Sequence, residues 1–225
     1  MGVGNGPQGQ ALDNIAVRLD LGSTQSYGGT GNTANSLVKF DLLQFTGGVT
    51  FSSAGASSSF TFAGAGVVTS RSNVGVSGAA SRSMSCWVKF SAKQIQGIMS
   101  TGANGAGTGM ALQTSSTQFQ LGYGNSGAAT TITYDTGIWY NLTYVSELVS
   151  GSTHRLKLYV NGGLAHTAVF ASINLTDSTL RIGCDNAGTK LSGDISRATF
   201  YNKALTDTEI SKMYRNYRGR FGLRS

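Results

Sequence analysis

The run Arg155-Leu-Lys-Leu-Tyr-Val160 puts Leu156, Leu158 and Val160 on one side of an extended chain and Arg155, Lys157 and Tyr159 on the other. Strand side chains alternate between two faces, so this is the pattern of a half-buried strand. Asn161-Gly162 follows directly, and this pair accepts positive φ at both central turn positions, closing a tight hairpin onto residues 164–170. Most of the chain repeats the theme in short alternating segments. Strands are predicted at 15–21, 36–42, 49–51, 58–62, 66–69, 83–90, 95–100, 109–113, 118–123, 129–133, 139–145, 155–160, 164–170, 179–184 and 193–201, with a long loop over 22–36.

Composition agrees. Of 225 residues, 32 are glycine, 28 serine and 24 threonine, only 12% are charged, and Pro7 is the one proline. Small turn-formers with scattered β-branched and aromatic residues suit many short strands, so an all-β sandwich or barrel is expected. The steady supply of apolar residues and the low charge argue against disorder. No apolar stretch approaches the roughly 20 residues of a bilayer-spanning helix, so membrane insertion is not expected.

Only one segment has helical period. Thr206-Asp-Thr-Glu209 fits a capping box, and Ile210, Met213, Tyr214 and Tyr217 then form one stripe, with Gly219 as a stop. Such a helix would cover an edge or one end of the sandwich.

Residues 1–14 collect Gly, Asn, Gln and the proline without periodicity and read as an N-terminal arm, leaving 15–225 as the domain. The arm has neither a basic nor an apolar signal region, so maturation in a cytoplasm is expected. Cys86 and Cys184 each fall in an apolar alternation. Buried free thiols are one outcome, and a disulfide between inward positions is the other, disfavoured by a reducing compartment. The net charge of +7 is concentrated at the C-terminus, where Arg197, Lys203, Lys212, Arg215, Arg218, Arg220 and Arg224 face only Asp207 and Glu209. A partner-docking role for Arg215, Arg218, Arg220 and Arg224 is one reading; a solvated helix face is the other. The rest of the chain is nearly neutral, which argues against nucleic acid.

Gly193-Asp-Ile-Ser-Arg-Ala-Thr-Phe-Tyr-Asn-Lys-Ala-Leu-Thr-Asp-Thr-Glu-Ile210 closely resembles the closing signature of laminin-G-like domains of the concanavalin A-like lectin/glucanase superfamily. Ser83-Met-Ser-Cys-Trp-Val-Lys89, Trp139-Tyr140-Asn141 and Leu158-Tyr-Val-Asn-Gly162 resemble three further strands of that family, in order, over roughly residues 15–220. The resemblance implies a jelly-roll β-sandwich of two antiparallel sheets with one short C-terminal helix. Leu19-Asp-Leu-Gly-Ser-Thr-Gln-Ser-Tyr27, Val49-Thr-Phe-Ser-Ser53 and Arg218-Gly-Arg-Phe-Gly222 resemble a subset found in tailed-phage virion proteins. Where the family reads Phe-Asp-Gly-x-Asp-Asp, this chain has Phe62-Ala-Gly-Ala-Gly66, so a site built on those acidic residues does not carry over.

The superfamily includes glucanases, which need two closely spaced carboxylates. This chain has two glutamates, Glu147 in an expected loop and Glu209 in the helix cap, so catalysis is not expected. His154 and His166 lack a nucleophile-elbow context, and His154 shares parity with Leu156 and Leu158, as a sheet-bound histidine would. Two lone cysteines and two distant histidines give no zinc pattern. Asp185, Asn186 and Asp194 flank a glycine-rich loop, making Asp185 and Asp194 calcium candidates, though Asx turns explain them equally. For sugar binding the candidates are Tyr123, Asn125, Asp185 and Asn186, with Trp87 and Trp139 as aromatic platforms or, alternatively, packing groups.

The virion resemblance implies a structural protein of a phage particle, a head-decoration or fibre/tail module. It would assemble in the host cytoplasm and attach non-covalently to other virion proteins, with closed homo-oligomers expected. The alternative is a lectin-like adhesin recognising cell-surface polysaccharide; one module can do both.

Overall fold

In the computed structural model, which describes residues 14–38, 42–176 and 179–223, the strand Thr153–Val160 turns through Asn161 (φ 51°) and Gly162 (φ 78°) into Gly163–Phe170, as the Asn-Gly pair requires. In chain order the strands are β1 (Ile15–Asp20), β2 (Thr33–Asn35), β3 (Leu42–Thr46), β4 (Thr50–Ser52), β5 (Ser59–Ala63), β6 (Val67–Ser70), β7 (Arg82–Phe90) and β8 (Gln96–Gly102). They continue with β9 (Gly109–Thr114), β10 (Gln118–Gly122), β11 (Gly127–Thr133), β12 (Trp139–Ser150), β13 (Thr153–Val160), β14 (Gly163–Phe170), β15 (Leu180–Ile182) and β16 (Ser192–Tyr201). The first sheet has the order β14-β13-β12-β7-β16-β5-β4, and β1 pairs with the second half of β16. The second sheet has the order β11-β10-β9-β8-β15-β6-β3-β2. All pairings are antiparallel, and the sheets pack face to face over Phe60, Phe62, Met84, Phe119, Ile182 and Phe200. This is the all-β sandwich that the alternation predicts, with the two antiparallel sheets and short C-terminal helix of the jelly roll that the family resemblance implies.

Most predicted strands are present, with two informative exceptions. The strand expected over 36–42 is replaced by β2 and β3, where Leu43 and Phe45 are buried and Leu42 and Thr46 exposed; residues 39–41 lie outside the described residues. The doublet Leu42-Leu43 conceals the start of that alternation. β12 runs on to Ser150, so Glu147 lies on a strand rather than in a loop and faces Arg155 and Lys157 across it at 3.5 and 3.3 Å.

The helix α1 (Asp207–Tyr217) begins with the expected capping box: the Glu209 amide donates to Thr206 Oγ1 at 3.2 Å, and the Thr206 amide donates to Glu209 Oε2 at 2.9 Å. Lys203 also pairs with Glu209, and the cap and this cation hold its carboxyl below the usual range against the opposing effect of burial. Gly219 is not the stop. The chain continues into a 3-10 turn, Arg218–Phe221, and Gly222 (φ 73°) takes the left-handed position. Nor does the helix cover an edge or an end. Ile210 and Met213 pack on Ile15, Val145, Tyr159 and Tyr201 over the outer face of the first sheet.

Cys86 and Cys184 are both buried free thiols, and burial pushes the Cys86 thiol far up. The 1–14 arm lies outside the described residues except for Asn14, whose carbonyl accepts from the Asn202 amide at 2.7 Å.

His154 is fully buried, with Nδ1 2.8 Å from Ser146 Oγ. Burial, and secondarily the charge of Arg82, hold its pKa below the ordinary histidine value. The native state therefore binds fewer protons than the unfolded state below about pH 6.5, so stability should fall with falling pH there, by at most about 1.4 kcal/mol per unit. Thermal midpoints between about pH 7 and 5 should show this decline. H154Q should flatten it, and an unchanged slope in H154Q would assign the decline to other groups.

Candidate functional site

On the second sheet Leu180 and Ile182 point into the core and Arg181 points out, directly opposite Thr69 of β6 and Ser100 of β8. Ser100 in turn faces Ala111, and Ala111 faces Gly122, so this stretch of the outer face is floored by small side chains. The segment 183–190 folds back over it. Asp185 Oδ1 accepts from the amides of Ala187 and Thr189 at 2.9 and 2.8 Å, an Asx-type turn that shapes the segment. Asn186 Nδ2 donates to the carbonyls of Thr101 and Gly102 at 2.8 and 2.9 Å, fastening it to the β8–β9 loop.

Between this segment and the loop following Gly102 lies a cleft of about 360 Å³ whose polar lining comprises Thr69, Asn104, Arg181, Asp185, Asn186 and Lys190. Arg181 Nη1 donates to Gly102 O at 3.0 Å, so its guanidinium is fixed in the floor. Lys190 Nζ lies 3.4 Å from Cys184 Sγ and forms no ion pair among the described residues. Among the described residues the buried Oδ1 of Asn186 and the buried hydroxyl of Ser100, the latter beneath the cleft, have no hydrogen-bond partner. The fixed Arg181, the cation of Lys190 and the polar side chains of Thr69, Asn104, Asp185 and Asn186 therefore surround one open cleft, an arrangement suited to ligand hydroxyls or an anionic group and lacking any paired carboxylates.

Of the four sugar-binding candidates, Asp185 and Asn186 line the cleft. Tyr123 and Asn125 lie on the neighbouring β10–β11 turn, which leans on the β8–β9 loop through a Gly107 amide to Tyr123 carbonyl bond of 3.2 Å. Asn125 is exposed, but the Tyr123 ring packs on Phe170 with centroids 4.1 Å apart and is no free platform. Trp87 and Trp139 also serve packing, beneath and beside Phe221. The calcium candidates are not brought together. Asp194 is on the first sheet, paired with Lys89 at 2.9 Å and accepting from Thr61 Oγ1 at 2.6 Å, while Asp185 is spent on its own turn. Among the described residues no three His, Cys, Asp or Glu side chains cluster to hold a metal.

Of the docking arginines, Arg220 turns inward to Asp20, with Nη1 and Nη2 donating at 3.0 and 2.9 Å. Arg215 is exposed on α1, Arg218 is half-buried at its C-cap, and Arg224 lies outside the described residues. Sequence reasoning missed Arg181 and Lys190. The outward parity of Arg181 between Leu180 and Ile182 was a usable signal; nothing local marks Lys190.

Gly97 sets how closely the loop approaches the sheet. A Cβ there would lie 1.9 Å from the Asp185 amide nitrogen and 2.6 Å from the Thr189 carbonyl oxygen, both backbone atoms. G97A is therefore expected to displace residues 184–189 and destabilise the fold by about 1–3 kcal/mol, as overpacking does. A thermal midpoint within one degree of the parent would contradict this.

The family model described as Concanavalin A-like lectin/glucanases superfamily, of laminin-G type, matches residues 49–211. No curated protein sequence matches the chain. Among solved structures, domain 4 of AbnA, a GH43 extracellular arabinanase from Geobacillus stearothermophilus in complex with arabinotriose, superposes with a TM-score of 0.65 at 16% identity, over 89% of this chain and 98% of that one. The binding domain of botulinum neurotoxin DC, in complex with rat synaptotagmin II, gives a TM-score of 0.68 at 16% identity over 92% of this chain. A structure of botulinum neurotoxin type C, whose cell entry depends on two ganglioside molecules, gives the same three values. The chain spans about half of each toxin chain, 52%. At these identities the likeness is one of fold, and with the family match over most of the sequence it establishes that the chain belongs to the concanavalin A-like lectin/glucanase superfamily.

Proposed function

We propose that this chain is a non-catalytic, lectin-like module that binds glycan through the cleft over the outer face of the second sheet. The observation that carries the reading is the convergence of Arg181, Lys190, Asp185, Asn186 and Asn104 around one open cleft. Fixed hydrogen-bonding groups of both senses orient sugar hydroxyls. Both glutamates are engaged elsewhere, Glu147 with Arg155 and Lys157 and Glu209 in the helix cap, which supports binding without cleavage. The match to almost the whole of an arabinanase domain solved with arabinotriose favours a saccharide as ligand class. A glycan array, followed by titration of the hits, tests it: K190A and N186A should weaken binding about tenfold, near 1.4 kcal/mol. Hits unaffected by either variant, or no hits, overturn it.

We further propose that the module is displayed on a tailed-phage particle, assembled in the host cytoplasm beside other virion proteins and as a homo-oligomer. Support comes from the three segments that resemble the virion subset, which lie against one another: Arg220 reaches Asp20 and Ala56, and the Tyr27 ring meets Phe51 at 5.0 Å. They form one contiguous unit. Arg215 and Arg218 supply the docking charge, within a C-terminal stretch, residues 197–225, that holds seven of the 17 lysines and arginines. Purified protein should bind particles lacking it, more weakly as R215E/R218E; no affinity for such particles overturns this part.

A further inference from the structure

Residues 21–29, after β1, and 51–58, around the end of β4, enclose a second cleft, of about 480 Å³, lined by Leu21, Thr24, Tyr27, Phe51, Ser53 and Ser58 together with glycines. We propose that this cleft is a separate binding site that takes an uncharged sugar ring by its apolar face. The inference rests on the glycan-binding reading for its ligand class but on different residues.

Its aromatic wall is pre-set. The Tyr27 ring meets Phe45, Phe51 and Phe60 with centroids 5.4, 5.0 and 5.1 Å apart in edge-to-face geometry, and its hydroxyl donates to Gly31 O at 2.8 Å. Gly28 and Gly29 form the adjoining wall, so no side chain from it closes over the rings, and Phe51 stays half-buried. Both walls are braced from behind. Asp20 Oδ1 accepts from the Gly22 amide at 3.2 Å, and Arg220, held on Asp20, also donates through Nε to Ala56 O at 2.9 Å. The cleft is thus ordered before any ligand enters, which removes part of the cost of binding.

The chemistry of the lining selects the ligand. Among its lining residues there is no Lys, Arg, His, Asp or Glu, and Arg220 behind Gly22 is already paired with Asp20, so a uronate or a sulfated sugar would meet no free counter-charge. The exposed hydroxyls of Thr24 and Ser53 form no hydrogen bond among the described residues and stand free for sugar hydroxyls. A purely apolar side chain of a protein partner would leave them unused. An uncharged pyranose or furanose satisfies both features, with C–H groups on the half-buried Phe51, backed by the buried Tyr27 ring, and hydroxyls on the rim.

The test is NMR titration of the full chain with methyl glycosides of neutral sugars, methyl glucuronide, and N-acetyl-leucinamide, each to about 50 mM because a single-ring site of this kind is expected near millimolar affinity. Neutral glycosides should shift the Tyr27 and Phe51 aromatic resonances, saturably, and the other two ligands should not. F51A should reduce this affinity at least tenfold. Because Phe51 also packs on Phe60, T24A/S53A, which removes only rim hydroxyls, should reduce it about threefold. K190A should leave these shifts unchanged. Failure of K190A to affect any glycan would sink the first cleft alone. Absence of aromatic shifts with every neutral glycoside, or equal shifts with N-acetyl-leucinamide, overturns the second.

Discussion

Replacing Asp20 with alanine is expected to cost the fold about 3–5 kcal/mol, because it takes their shared carboxylate from the buried Arg197 and the half-buried Arg220. Asp20 is 9% exposed and Arg197, whose Nε lies 3.6 Å from Asp20 Oδ2, is 4% exposed. The Arg197 guanidinium sits 3.8 Å from the Tyr217 ring centroid, so it cannot swing into water without giving up that contact. Arg220 adds the two parallel bonds of a fork on the same carboxylate. Asp20 therefore joins β1, β16 and the C-terminal turn, and its loss should lower the thermal midpoint by about 10 °C or more for a domain of this size. D20N keeps an acceptor for the Gly22 amide while removing the charge, and should lose nearly as much if the charge is what counts. R220A should lose less, since Asp20 keeps Arg197. A double-mutant cycle between positions 20 and 220 should give a coupling above about 1 kcal/mol. A midpoint unchanged in D20A would mean that solvent already compensates these arginines.

The period-two alternation made most of the sandwich legible, and the Asn161-Gly162 turn fixed one hairpin without ambiguity. It failed where its premises did. Leu42-Leu43 has no alternation to read, and neither has Ser146-Glu-Leu-Val-Ser150, whose adjacent Leu148 and Val149 are both exposed; it continues a strand because its pairing partner β13 extends equally far. The first cleft was half legible: Asp185 and Asn186 advertise a turn, but Lys190 enters the cleft only because Gly97 lets the 184–189 loop lie against the sheet, a tertiary fact. Arg220 shows the opposite error. A basic residue in a basic tail invites a docking role, yet its partner Asp20 is 200 positions away in sequence and invisible to any local pattern. Tyr27 was hidden likewise, inside a glycine-rich loop whose aromatic neighbours come from β3, β4 and β5.

F221A is expected to destabilise the domain by about 3–5 kcal/mol, the usual cost of deleting a buried phenylalanine. Phe221 is 7% exposed and lies over Trp87 with centroids 4.1 Å apart and planes 13° from parallel, and its ring is 5.0 Å from that of Trp139. Tyr214 of α1 also stacks on Trp87, with centroids 5.9 Å apart and planes 17° from parallel. Phe221 and Tyr214 together keep Trp87 at 2% exposure on what would otherwise be the solvent face of β7. Truncation should therefore be visible twice: in the thermal midpoint, and in tryptophan emission moving to longer wavelength as water reaches Trp87. F221L, which keeps most of the volume but not the stacking, should fall between the two proteins, and its distance from F221A separates packing from ring-on-ring contact. The variant also tests how the C-terminal turn is held. If Asp20 alone anchors it through Arg220, F221A will shift the emission while leaving the midpoint nearly unchanged. If the two contacts share the load, D20A/F221A will lose less than the sum of its single variants, because the first loss already frees the turn.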